Sequence, residues 1–240
     1  MRRFAFLLVA WSGLDACHID EGAVALNRPD LARATLVEQR RMHARFDAAT
    51  RIEHAIAFSD LERARTEAGN IIGLNVSNVS LTWQPYFDSL RDAAQQVESS
   101  RSLGEAARLT ATLGQRCANC HLAIAARVEF PAEPRPSGGR NLATEMKAHD
   151  WAAAQMWWGL IGPSNDHWTA GARALTTVPL TIIAQRPTSG SELDVDVDDV
   201  ARVRLYASRA TTMSDPDARA DLFGTLLTTC AHCHTVLRDR

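Results

Sequence analysis

The sequence predicts an all-α chain of two tandem four-helix-bundle-like domains, each with a Cys-x-x-Cys-His motif in its last helix. Three observations predict it. Apolar residues recur at helical spacing in both halves, while strand signals are few. The same pentapeptide pattern closes each half, as Cys117-Ala118-Asn119-Cys120-His121 and Cys230-Ala231-His232-Cys233-His234. Between the halves, Pro131, Pro134, Pro136, Ser137, Gly138 and Gly139 fall within nine residues, where neither helix nor strand persists. The expected layout is a leader over 1–17, a first domain over 18–130, a Pro/Gly linker over 131–140 and a second domain over 141–240.

The leader opens with Arg2 and Arg3, continues through an apolar run from Phe4 to Trp11, and ends in small residues. That is the layout of a secretory signal, too short to span a bilayer. Its end, Leu14-Asp15-Ala16-Cys17, resembles a bacterial lipobox, although Asp15 departs from the small or apolar residue usual there. The resemblance implies that Cys17 is lipid-modified after cleavage, and several acyl chains hold a protein firmly at a membrane. The alternative is an ordinary cleavable signal beside a chance cysteine. Both export the chain, to the periplasmic side of the cell envelope. His18, rather than an aspartate, follows Cys17, which in Gram-negative lipoproteins favours the outer membrane.

Met42, Phe46, Ala49, Ile52 and Ile56 mark the first helix, and Met146, Ala153, Met156 and Leu160 mark its counterpart. A shift of 104 residues superimposes Met42 on Met146, Ala49 on Ala153 and Ile56 on Leu160. A shift of 113 superimposes Leu109 on Leu222, Leu113 on Leu226 and one cysteine motif on the other. Further helices are predicted over about 60–68, 84–100, 166–177 and 197–213. Ser102 with Glu105 forms a capping box, and Ser214 with Pro216 and Asp217 is a similar start signal. Ile182-Ile183 is a short apolar patch, and the acidic stretch 192–199 reads as a solvated loop capping the next helix. Six tryptophans are many for 240 residues. Trp151, Trp157, Trp158 and Trp168 read as bundle core, with a wall against a bound group as the sharper alternative.

Composition narrows the function. Hydrophobic residues are 46% and charged residues 22%, which is globular. The formal charge of −2 gives no general pull toward nucleic acid. The five cysteines, an odd number, do not make a closed disulfide framework.

Cys-x-x-Cys-His is the attachment signature of c-type haem. Two thiols three residues apart on a helical turn reach the two vinyl groups of one porphyrin. The next residue then presents an imidazole to the iron. Cys117, Cys120, Cys230 and Cys233 would make the thioethers of two haems, with His121 and His234 as proximal ligands. The rival readings are redox dithiols, half-sites for zinc, or one zinc held by all four cysteines. An exported chain and a histidine repeated in the same place favour haem.

Each motif closes its half, and only six residues follow His234. In this the chain resembles the class II cytochromes c, the helical-bundle family of cytochrome c prime and its low-spin relatives. Arg238, four residues after His234, matches a basic residue that family often carries. The equivalent place in the first half is Ala125, with Arg127 nearby. The resemblance implies either an empty sixth position or a methionine near the start of the first helix. Met42 and Met146 stand there and are the candidate sixth ligands. A thioether would raise the potential, while the alternative for both is core filling. His149, three residues after Met146 on the same face, is the rival ligand; its counterpart is Arg45, which cannot ligate.

The expected function is electron transfer between redox protein partners at the envelope. The alternatives are an open iron site for gas binding or peroxide reduction, and a zinc-stabilised helical module. No nucleophile–base pair, phosphate loop or paired carboxylates stand out.

Overall fold

The computed structural model describes residues 28–74, 83–136, 141–178 and 197–238, and among them it is all-helical, with no strand. The leader with Cys17, the last four linker residues, the Ile182-Ile183 patch and residues 192–196 of the acidic stretch lie outside the described residues. Among the described residues four helices precede the proline-rich segment: α1 (Arg28–Ala57), α2 (Leu61–Gly73), α3 (Gln84–Glu98) and α4 (Leu103–Ala123). Among the described residues four follow it: α5 (Leu142–Ile161), α6 (Asn165–Thr177), α7 (Val197–Ala210) and α8 (Pro216–Arg238).

The chain divides into two compact units, Met1–Arg40 and Arg41–Arg240. In the first, the described part is the opening of α1, where Val37 is exposed. The second carries the rest of α1, the other helices and both motifs.

Side chains fix the helix starts. Asp60, Ser102, Asn141 and Ser164 each accept a hydrogen bond from the backbone N–H three residues on, which satisfies an otherwise orphaned donor. Glu105 completes its box by accepting from the Arg101 N–H at 2.7 Å. At α8 the cap is Asp215 and not Ser214: the Asp215 carboxylate accepts from the Ala218 N–H at 2.8 Å. With Pro216 fixed as the first helical residue, the cap belongs to its immediate predecessor. Asp199 also departs from the solvated loop expected of it. It lies in the first turn of α7, 2% exposed, and binds Arg202 and His232 at 2.7 Å each.

The two motif helices pack on each other. A Cβ at Gly104 would meet Thr228, a Cβ at Gly224 would lie 3.0 Å from the Arg108 Cα, and the Gln115 amide donates to Asp217. Numbers rise along α4 as they fall along α8, so the pair is antiparallel and glycine allows the close approach.

The hairpin of α5 and α6 is tighter still. A Cβ at Gly159 would stand 2.4 Å from the Trp168 backbone nitrogen, and one at Gly171 would stand 2.4 Å from the Ala152 carbonyl oxygen. Neither backbone neighbour can step aside as a side chain could. Gly171→Ala is therefore expected to cost about 1–3 kcal/mol through overpacking, read as a lower urea midpoint with an unchanged slope.

Trp157 and Trp168 are fully buried and Trp158 nearly so, which makes them core. The Trp157 indole N–H donates to Thr50 Oγ1 at 3.2 Å, and its ring stacks on Phe223 at 5.6 Å. Residues 126–136 form neither helix nor strand. Their Phe130 ring stacks on Trp158 at 5.2 Å and packs against Phe46 at 5.6 Å.

Candidate functional site

Cys117, Cys120 and His121 lie in the last turns of α4, and Cys230, Cys233 and His234 toward the end of α8. Residues three and four apart on a helix share a face, so each motif presents two thiols and an imidazole together. Cys117, Cys120 and Cys230 are free thiols. Burial pushes the Cys117 and Cys230 thiols up to about 12, and raises Cys120 as well. A nucleophilic redox dithiol requires the opposite shift.

The histidines are oriented in one way. His121 Nδ1–H donates to the Ile161 carbonyl at 2.9 Å, and His234 Nδ1–H donates to the Ala57 carbonyl. A carbonyl only accepts, so in both rings Nδ1 carries a proton, and it is Nε2 that has the lone pair whenever the ring is neutral. This is the outer-shell arrangement that fixes the tautomer of a metal-binding histidine and raises its basicity. Burial also lowers the His121 pKa.

Ala57 is the last residue of α1 and Ile161 the last of α5, and the 104-residue shift superimposes them. Each motif histidine therefore bonds to the end of the first helix in the opposite half. Helix ends carry unpaired carbonyls and partial negative charge, which suits them to hold an imidazole N–H. The turn after α1 tightens the second of these contacts. Ser59 takes a positive φ of 62°, a conformation usually left to glycine. Its hydroxyl donates to the Ala231 carbonyl at 2.5 Å and accepts from Thr235 at 2.9 Å, contacts glycine could not make.

A cavity of about 100 Å³ adjoins the second motif. Into it α8 sends Cys230 and His234, α5 sends Met146 and His149, α1 sends Glu53, and the turn after α1 sends Phe58. Thus the structure brings both candidate ligands of the second half to the wall shared with His234. Phe58 is 52% exposed and stacks on His234 at 4.9 Å. His149 Nε2 is buried with no hydrogen-bond partner. Burial, with His234 nearby, pushes the His149 pKa down to about 4.

Glu53 is 4% exposed, and burial pushes its carboxyl up to about 7. Sequence reading missed this residue. Its signal was a charge four residues after Ala49, inside the apolar stripe.

The first motif is different. Arg45 occupies the register of His149, is buried over the Phe87 ring at 4.5 Å, and acts electrostatically on Cys117 and Cys120. Met42 lies half-buried one turn before it. Because α4 and α8 are antiparallel, Cys230 stands near the level of residue 102. The two motifs are thus roughly 25 Å apart along the helix axes, at 1.5 Å per residue.

Among the described residues, no three His, Cys, Asp or Glu side chains gather as a metal-binding group, and no helix is long and apolar enough to cross a membrane. No protein-family model, curated protein or solved structure matches this chain.

Glu53 and His149 make opposite demands on pH. The raised Glu53 pKa means that the folded chain holds more protons than the unfolded chain between about 4.5 and 7, so stability falls as pH rises through that window. The lowered His149 pKa means that the unfolded chain holds more protons between about 4 and 6.5, so stability rises there. Each amounts to about 3 kcal/mol at most, and they cancel where they overlap. Glu53→Gln is expected to leave a rise in urea midpoint from pH 4 to 6.5, and His149→Leu a fall from pH 4.5 to 7.

Proposed function

We propose that this chain is an exported di-haem c-type cytochrome that carries electrons between redox partners at the cell envelope, tethered there through Cys17. The observation that carries the reading is the paired orientation of His121 and His234. Both commit Nδ1–H to a helix-end carbonyl, which leaves Nε2 as the ring nitrogen open to a metal, on the same helical face as the motif cysteines. Haem attachment needs thiols at a porphyrin edge rather than donors converging on one atom, and this is what distinguishes it from a zinc site.

The residues fit the group in chemistry. Cys117 and Cys120 would hold one haem, with His121 on its iron; Cys230 and Cys233 would hold the other, with His234. Bound haem would supply reversible one-electron chemistry at iron. The carbonyls of Ile161 and Ala57 hold the proton on Nδ1, and the apolar Leu226, Leu227 and Phe223 exclude water at the second site. In size the fit needs an opening, since cofactor sites span about 300–1,000 Å³. Phe58, exposed at the cavity and stacked on His234, is the side chain that would have to move aside.

The spacing of the motifs favours two separate one-electron sites at opposite ends of the α4–α8 pair over a wire of stacked haems. A second reading, gas binding or peroxide reduction at an open iron, draws on Arg45 at the first site, because a guanidinium has no lone pair to donate.

The test is a visible spectrum of the chain produced with cytochrome-maturation machinery. The electron-carrier reading expects sharp low-spin bands that interconvert on reduction and reoxidation, unmoved by carbon monoxide. A carbon monoxide shift would transfer the function to the open-site reading.

A further inference from the structure

We infer that His149 is the sixth ligand of the second iron, and that the first iron receives no imidazole on that side, so the two haems are unequal. The inference rests on the haem reading above and identifies the distal ligand of the same site.

Met146 and His149 both line the cavity that contains His234 and Cys230. What separates them is the cost of leaving each without a bond. A methionine thioether is comfortable as apolar filling. A buried imidazole nitrogen without a partner is destabilising, and His149 Nε2 is such an atom. Native chains retain such groups where a ligand supplies the missing partner. An imidazole buried in the wall of the cavity that also takes His234, with its Nε2 unbonded, is placed to complete six-coordination.

The register of the two halves provides the contrast. Arg45 stands where His149 stands, buried against Phe87 and close to the first pair of thiols. Arginine is charged at all accessible pH and offers only donors. No exchange of ligand sets between the halves can make the first iron bis-imidazole through this position.

The experiment compares wild type with His149→Leu and Met146→Leu, all matured with haem. Each is read by electron paramagnetic resonance of the ferric form, by redox titration and by intact mass. Wild type is expected to show a two-imidazole ferric signal from one haem of its two. His149→Leu should lose that signal and shift the lower of two midpoint potentials upward, with both haems still attached; Met146→Leu should change neither. If His149→Leu does not accumulate, His149→Met carries the test: loss of the two-imidazole signal supports the inference and its persistence overturns it. Two attached haems whose spectra ignore His149→Leu, or a far-red sulfur–iron band abolished by Met146→Leu with its iron on His234, would overturn this inference alone. A chain without haem would overturn the underlying reading and this one with it.

Discussion

Cys230→Ala with Cys233→Ala is expected to leave the chain with one covalent haem instead of two, and Cys117→Ala with Cys120→Ala to do the same at the other end. The haem per chain in the denatured protein should fall by half in either variant and to zero in the combination. Independence is expected because the motifs stand roughly 25 Å apart along an antiparallel helix pair. Stability should not divide so cleanly. His234 bonds to the end of α1, and Ser59 and Thr235 tie that end to α8, so an empty second site loosens the first half too. If haem fills that site, its loss leaves a cavity whose cost grows with volume. A variant that keeps both haems would show that its motif does not attach one.

Trp168→Ala is expected to destabilise the chain by about 3–5 kcal/mol, the range for deleting a buried tryptophan. The ring is 0% exposed, its N–H donates to the Ala210 carbonyl at 2.9 Å, and the Arg219 guanidinium lies 5.2 Å from its centroid. One residue thus joins α6 to α7 and α8, and its backbone touches α5 at Gly159. Against a total stability of about 5–15 kcal/mol, such a loss brings the fold near failure. Thermal unfolding should show a midpoint lower by roughly 6–20 °C. A shift of a degree or two would mean that the tryptophan is not the joint described here.

The helices were legible because their signals are local. Period 3.6 in the apolar residues, capping side chains and a proline-rich break all act within a few residues. Ser102 and Glu105 cap as their spacing implies, while Ser214 yields to Asp215 by one position. Asp199 was misread because an acidic run looks solvated until a partner is known, and its partner His232 is 33 residues away. The second site was legible on one helix at a time. Met146 and His149 share a face by spacing alone, but their meeting with His234 depends on how α5 packs against α8. The exchange of histidine contacts between halves, across 40 residues for His121 and 177 for His234, has no local signature. Neither does the burial of Glu53.

The most direct measurement is the mass of the intact purified chain, taken after denaturation from a host able to mature c-type cytochromes. The account predicts the polypeptide mass, with any lipid, plus two haems that stay bound without native structure. A colourless chain weighing only its amino acids and lipid would contradict it.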